Sequence, residues 1–167
     1  MVLLRGATAA FILLGAAPAL ATEPLADRIW YHTRAGTVHL AGKGPIALPP
    51  SAKLRAMTTA ETCSAVGGPR GVYKYAGGKI WLVGLHRCSG GIGLHEVYPA
   101  LRNPPVASWI SGVLVARLGR FLCVSATGAN VHEAQVRMTV NNGTVVALEE
   151  ASGSVQMCRS ARIAPQI

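Results

Sequence analysis

Hydrophobic and polar residues alternate most clearly in the last third of the chain. Every second residue from Ala134 to Val140 is apolar, and the residues between them are polar or charged. A period of two predicts a strand over 131–140 with one face in the core. Asn141-Asn142-Gly143 follows, and Asn-Gly accepts the positive φ that a tight hairpin requires, so we expect a returning strand over 145–148.

The same region contains further strand patterns that together indicate a β-meander over 112–163. A strand over Val113–Leu118 is expected to turn at Gly119-Arg120 into a second strand over Phe121–Ser125. A last strand, which carries Cys158, is expected over Ser154–Arg162.

The middle of the chain contains a second hairpin pattern. Residues 72–75 alternate, residues 76–78 form a turn, and residues 79–85 are apolar on both faces, which is typical of a central strand. A further strand is expected from Leu94 to Tyr98. The prolines at 99, 104 and 105 break any long element that would follow, although one helical turn over Val106–Ser111 is compatible with them.

The pattern of residues 22–50 predicts two short strands. The first is expected around Ile29–His32, and the second within residues 38–48, where apolar residues occupy alternate positions in part of the segment. Turns are expected around Gly36 and Gly42–Gly44. The best helix pattern covers residues 51–66, where Ser51 follows two prolines and is a suitable N-cap. These elements predict a mainly β domain, an antiparallel sandwich or small barrel, with one or two short helices.

The first residues have the pattern of a targeting signal. In residues 1–21, Arg5 precedes an apolar run, and Ala19-Leu20-Ala21 is a cleavage motif, which predicts cleavage before Thr22. No later stretch is long enough to cross a membrane as a helix. We therefore expect a signal peptide over 1–21 and a single disulfide-stabilised β domain over 22–167, located in the periplasm or outside the cell.

Four cysteines lie in the expected mature region: Cys63, Cys88, Cys123 and Cys158. An even number in an exported chain predicts two disulfides. Sequence separation favours Cys63–Cys88 with Cys123–Cys158, although three pairings are open. A four-cysteine zinc site is disfavoured because the sequence lacks closely spaced cysteine pairs.

Charge is the strongest functional signal. The 167 residues contain 16 Lys and Arg but only 7 Asp and Glu, for a formal net charge of +9. Arg binds carboxylates, sulfates and phosphates in a bidentate manner. The candidate binding residues lie on or near the predicted meander: Arg117, Arg120, Arg137, Arg159 and Arg162. The partners that we expect are an acidic glycan, an envelope phosphate or an anionic protein; the alternative is that the basic composition serves only solubility. Nucleic acid is disfavoured by export and the lack of a recognised motif.

A metal-binding alternative rests on His86, Cys88 and His95. If residues 85–88 continue a strand, His86 and Cys88 share a face, and imidazole with thiolate suits copper or zinc. Further ligand types in the chain are His32, His39, Met57, Met138 and Met157. Oxidation of Cys88 to a disulfide would remove the thiolate from this set.

A second alternative is a small exported hydrolase that acts on envelope polymers, with Glu96 and Glu133, each preceded by a histidine, as the pair of acid and base. Asp27 is the only aspartate, and its position near the expected mature start makes it a poor member of a catalytic triad. We therefore expect a non-enzymatic binding or structural protein without a cofactor, and keep the hydrolase and the metal binder as alternatives.

Overall fold

A computed structural model describes residues 25–60, 68–154 and Cys158. The predicted signal peptide and Cys63 lie outside this range. The elements are β1 (Asp27–Tyr31), β2 (Arg34–Leu40), α1 (Ala52–Ala60), β3 (Arg70–Ala76), β4 (Lys79–Arg87), β5 (Gly90–Ile92), α2 (Leu94–Val97), β6 (Gly112–Val124), β7 (Asn130–Asn141) and β8 (Thr144–Ser152).

The eight strands form one sheet in the order β3-β1-β2-β6-β7-β8-β4-β5, and an additional pairing of β3 with β4 closes seven of them into a ring, with β5 attached to β4 outside it. The predicted mainly β fold is confirmed, and of the two architectures the small barrel is the one present. One pairing departs from the antiparallel expectation, because β1 and β3 run parallel. The barrel closes narrowly where β4 meets β8, through the single pair Lys79 and Thr144.

The barrel interior is the hydrophobic core. Ala134, Val136, Met138 and Val140 are all buried, which confirms the alternation predicted for β7. Asn142 (φ 47°) and Gly143 (φ 76°) form the predicted tight turn between β7 and β8. Within the described ranges, neither helix has the length or apolar character that a membrane crossing requires.

The turn predicted at Gly119-Arg120 is wrong, because β6 continues through it as one strand of 13 residues. The pairing with β7 shifts register between Leu118 and Phe121, and Gly119 has φ 73°, so these residues form a β-bulge. The residues of β6 on both sides of the bulge pair with β7, so the strand continues in the same direction.

The turn predicted at Gly36 is also wrong, because Gly36 lies inside β2. A Cβ atom at this position would be 2.0 Å from the backbone oxygen of Arg117 on β6. The glycine is therefore required for the close approach of two strands rather than for a change of direction.

Residues 94–97 form helix α2 rather than the predicted strand. The Glu96 carboxylate accepts a hydrogen bond from Gly93 N (2.8 Å), and Tyr98 N donates to Leu94 O (2.7 Å). These short-range bonds satisfy the local backbone within a single helical turn.

Residues 106–111 form a turn rather than a helical segment. Ala107 N donates to Ile80 O of β4 (2.8 Å), and Ile110 N donates to Ala107 O (3.0 Å). Pairing with β4 therefore replaces the helical turn that the sequence allowed.

The start of α1 agrees with the prediction, since Ser51 Oγ accepts a hydrogen bond from Leu54 N (2.9 Å). The predicted remainder of that helix, residues 61–66, lies outside the described residues. The same holds for most of the predicted last strand, Ser154–Arg162, of which only Ser154 and Cys158 are described.

Candidate functional site

Three of the arginines proposed from the sequence, Arg117, Arg120 and Arg137, lie on the paired strands β6 and β7, and they differ in whether a carboxylate faces them. Arg120 lies 3.6 Å from the Glu133 carboxylate, and Arg137 lies 4.0 Å from that of Glu149. Both guanidinium groups are exposed and already face a carboxylate. Arg117 has no such partner among the described residues, while Arg159 and Arg162 lie outside them. We call Arg120, Glu133, Arg137 and Glu149 the paired face.

Arg117 is aligned with a second arginine across three strands. It pairs with Thr37 on β2, and Thr37 pairs with Arg28 on β1. Neighbouring strands are about 4.8 Å apart, so the two arginine backbones are about 10 Å apart. Both side chains point away from the core, because Ile29 and Leu118 on the alternate positions are buried.

An exposed tryptophan lies next to these arginines. Trp30 follows Arg28 by two residues, so both lie on the outer side of β1, and 46% of Trp30 is exposed. It pairs across the parallel strands with Lys74 of β3, which is also exposed. We define Arg28, Trp30, Lys74 and Arg117 as the basic–aromatic face.

The cations of the basic–aromatic face are not compensated. Among the described residues, no carboxylate forms an ion pair with Arg28, Lys74 or Arg117. The Nε atom of Arg117 is buried and has no hydrogen-bond partner in the described part of the chain. Arg117 lines a cleft of about 260 Å³ together with His39, and burial and the nearby Arg117 lower the pKa of His39. Asp27 also lines this cleft, but its carboxylate is buried and accepts hydrogen bonds from two backbone N–H groups, so Arg117 is the cation that the cleft presents.

Asp27 is not at a loose chain start, as the sequence suggested, but is almost fully buried. Its carboxylate accepts hydrogen bonds from Ile46 N (2.7 Å) and Gly71 N (2.8 Å). Burial raises its pKa, although both hydrogen bonds and the nearby Arg70 oppose that effect. Asp27 therefore joins the start of β1 to β3 and to the loop after β2, and so fixes the strand that carries Arg28 and Trp30.

The structure does not assemble the proposed metal site. Cys88 is in a disulfide, and its thiolate is not available. His86 is buried, and its Nε2 donates to Ala26 O (2.8 Å), while Nδ1 has no partner among the described residues. Burial lowers the pKa of His86, and the nearby Arg28 and Arg70 lower it further.

The other proposed ligands are dispersed. Met138 lies in the barrel core, Met57 packs against a second apolar cluster beside β5, and His95 is exposed on α2. Across the described ranges, no three His, Cys, Asp or Glu side chains come together as metal ligands. Met157 lies outside those ranges.

The two glutamates of the hydrolase alternative are held separately. Glu96 caps α2 through Gly93 N, whereas Glu133 on β7 faces Arg120. In the sheet, β7 is separated from β5, the strand next to α2, by β8 and β4. The structure therefore gives each glutamate a local partner and does not bring the two together.

The favoured pairing of Cys123 with Cys158 is present, with an S–S distance of 2.03 Å and a Cα–Cα distance of 5.7 Å. This disulfide ties the chain after β8 back to the end of β6. Cys88 is also disulfide-bonded, while its predicted partner Cys63 is outside the described residues.

Fold and site together define a disulfide-bonded, mainly β barrel with an uncompensated basic–aromatic outer face. Comparisons with protein-family models, with characterised proteins and with solved structures find no match to this chain. The fold and the chemistry of the site are thus the basis for any functional conclusion.

Sequence reasoning missed three of the four residues of the basic–aromatic face. Trp30 lies in the strand predicted around Ile29–His32, and Arg28 is two residues before it, so extending that strand by one residue would have placed both on one face. Lys74 gave no comparable signal, because it is adjacent to Trp30 only through the parallel pairing of β1 with β3.

Proposed function

We propose that this protein is an exported, non-enzymatic binding protein that engages an acidic glycan through its basic–aromatic face. The observation that carries the proposal is the presence of uncompensated cations around an exposed indole. Arg28, Lys74 and Arg117 have no carboxylate partner among the described residues, whereas Arg120 and Arg137 do. Cations without an internal partner are available to sulfate or carboxylate groups of a ligand.

The indole of Trp30 favours a glycan over a simple phosphate ion. Aromatic side chains contribute a large apolar contact area, and tryptophan is enriched among the residues that dominate binding energies. Trp30 is two residues from Arg28 on β1 and is paired with Lys74 on β3, so a sugar that packs on the indole brings its acidic substituents close to both cations. The separation of about 10 Å between the Arg28 and Arg117 backbones suits an extended ligand with repeated negative charges, which can contact both cations at once.

Export is part of the proposal. It is supported by the signal-peptide pattern of residues 1–21 and by the Cys123–Cys158 disulfide, which is typical of an oxidising compartment. An intact mass of the protein from an exporting host checks this part. We expect the loss of residues 1–21 and oxidised cysteines; a retained leader or free thiols would contradict it.

The binding proposal is tested on immobilised heparin, a sulfated polysaccharide, with uncharged dextran as the control matrix. The variant R28Q/K74Q/R117Q removes three charges from the basic–aromatic face. The variant R87Q/R120Q/R137Q removes three charges elsewhere. We expect the first variant to elute at a much lower salt concentration, with an affinity reduced at least about tenfold, and the second to elute close to the wild type.

The matched variants separate local recognition from overall charge. Equal shifts for both variants would mean that only net charge matters, and the proposed face would be wrong. Passage of the wild type through the heparin column at low salt would contradict the binding function as a whole.

A further inference from the structure

A second cavity opens at the end of the barrel, between the β1–β2 turn and β8. It has a volume of about 190 Å³ and is lined by Tyr31, His32, Thr33, Arg34 and Glu150. None of these residues belongs to the basic–aromatic face. The cavity therefore offers a site that is independent of glycan binding.

A buried tyrosine holds one charged group of this cavity in place. The Tyr31 hydroxyl donates a hydrogen bond to Oε1 of Glu150. Burial and the neighbouring carboxylate raise the pKa of Tyr31 to about 12, so the hydroxyl stays protonated and continues to donate at neutral pH. The Tyr31 ring is fixed in turn by stacking on Tyr75, with ring centroids 5.3 Å apart.

His32 is held over the same aromatic pair by its backbone. Its φ is 52°, a left-handed conformation that favours glycine, and its ring packs edge-on against Tyr31 at 4.5 Å. This φ belongs to the tight turn, because His32 and Thr33 are the two residues that join β1 to β2. The imidazole therefore forms one wall of the cavity.

Opposite charges line the cavity without meeting. Arg34 and Glu150 both contribute to its walls, yet the two ion pairs found in the described part of the chain are Arg120–Glu133 and Arg137–Glu149. Oε2 of Glu150 has no hydrogen-bond partner among the described residues. A guanidinium and a carboxylate that face one cavity but do not pair can both be satisfied by one ligand with the complementary charges.

We infer that this cavity binds a small zwitterion of the α-amino acid class. The ligand carboxylate binds the Arg34 guanidinium, and the ligand ammonium group donates to Glu150. Its side chain packs against His32. A cavity of about 150 Å³ is large enough to hold benzene, so a volume of about 190 Å³ accommodates an amino acid as small as alanine.

The test is calorimetric titration of the full exported chain with alanine. Acetate, which carries only the carboxylate, and ethylamine, which carries only the ammonium group, are titrated for comparison. We expect alanine to bind at least about tenfold more tightly than either probe, because only the zwitterion contacts both charges. Equal or weaker binding of alanine would overturn the inference. This comparison uses the wild-type protein alone and does not depend on the folding of any variant.

Two variants locate the site. Arg34→Gln and Glu150→Gln each remove one charge, and the amide of Glu150→Gln keeps an oxygen that accepts the Tyr31 hydrogen bond. We expect each to weaken alanine binding at least about tenfold, while Arg87→Gln, on an exposed arginine at the end of β4, leaves it unchanged. Unchanged alanine binding in both cavity variants would place the ligand elsewhere and overturn the inference.

Discussion

The basic–aromatic face and the paired face lie on neighbouring strands but differ in how their charges are balanced. On β1, β3 and β6, Arg28, Lys74 and Arg117 share an outer face with an exposed tryptophan, and no carboxylate of the described residues forms an ion pair with them. On β6 and β7, Arg120 and Arg137 each face a glutamate from the adjacent strand. The two faces carry similar numbers of cations, and the positions of the few carboxylates decide which of these cations form ion pairs.

The alignment of Arg28 with Arg117 in the basic–aromatic face depends on the close contact of β2 with β6. Gly36→Ala would place a methyl group 2.0 Å from the Arg117 backbone oxygen, so one of the two strands must move. We expect the free energy of unfolding to fall by about 3 kcal/mol or more. Denaturant titration measures the change, and heparin affinity should fall with it because Arg117 shifts.

The control for this substitution is Gly91→Ala in β5, where the added methyl group meets no atom within 4 Å. Its free energy of unfolding should change by less than about 1 kcal/mol. Similar losses in both variants would show that the effect is not the clash between β2 and β6.

The buried carboxylate of Asp27 differs from the exposed glutamates of the paired face, because it accepts hydrogen bonds from the backbone. Asp27→Ala removes the acceptor of two buried N–H groups, those of Ile46 and Gly71. Unsatisfied buried donors are costly, so we expect a loss of about 2 kcal/mol or more in the free energy of unfolding. Asp27→Asn retains one acceptor oxygen and should lose less; an equal loss in both variants would contradict this explanation.

The aromatic part of the basic–aromatic face is tested by Trp30→Ala. Loss of the exposed indole should weaken heparin binding by about tenfold without changing net charge. Trp109→Ala is the matched control, since Trp109 is 37% exposed but lies outside both faces. If affinity in the Trp30 variant equals that of the wild type, binding is purely electrostatic and the glycan preference fails.

The buried His86, whose pKa is affected by Arg28 of the basic–aromatic face, is expected to make the free energy of unfolding depend on pH. Burial, Arg28 and Arg70 lower the pKa of His86 below its usual 6.5. As the pH falls below about 6.5, the unfolded state takes up the proton before the folded state, so the free energy of unfolding decreases towards lower pH. His86→Gln should remove this part of the slope in denaturant titrations between about pH 7 and pH 5. An unchanged slope would contradict the assignment to His86.

Substitutions in the paired face should change the free energy of unfolding least. Arg120 and Glu133 are both exposed, so their ion pair is weakened by solvent and salt. We expect a double-mutant cycle of Arg120→Gln with Glu133→Gln to give a coupling energy below about 0.5 kcal/mol, and less at high salt. A coupling above about 1 kcal/mol would show that this pair is a structural element rather than a screened surface contact.

The sequence alone determined the local elements of this protein. Alternation identified the buried face of β7, Asn142-Gly143 identified its hairpin, and Ser51 marked the start of α1. These features depend on neighbours within a few residues, so a local pattern is sufficient to predict them. The pairing of Cys123 with Cys158 also agreed with the preference for a short separation in sequence.

Only the tertiary structure decided which residues share a surface. Gly36 and Gly119 have the local signature of turns, but contacts with β6 and β7 keep both inside strands. Trp30 meets Lys74 through a parallel pairing that no periodicity specifies, and Arg28 aligns with Arg117 through β2. Long-range pairing is set by the packing of the whole core, so the charges that face solvent together cannot be derived from spacing along the chain.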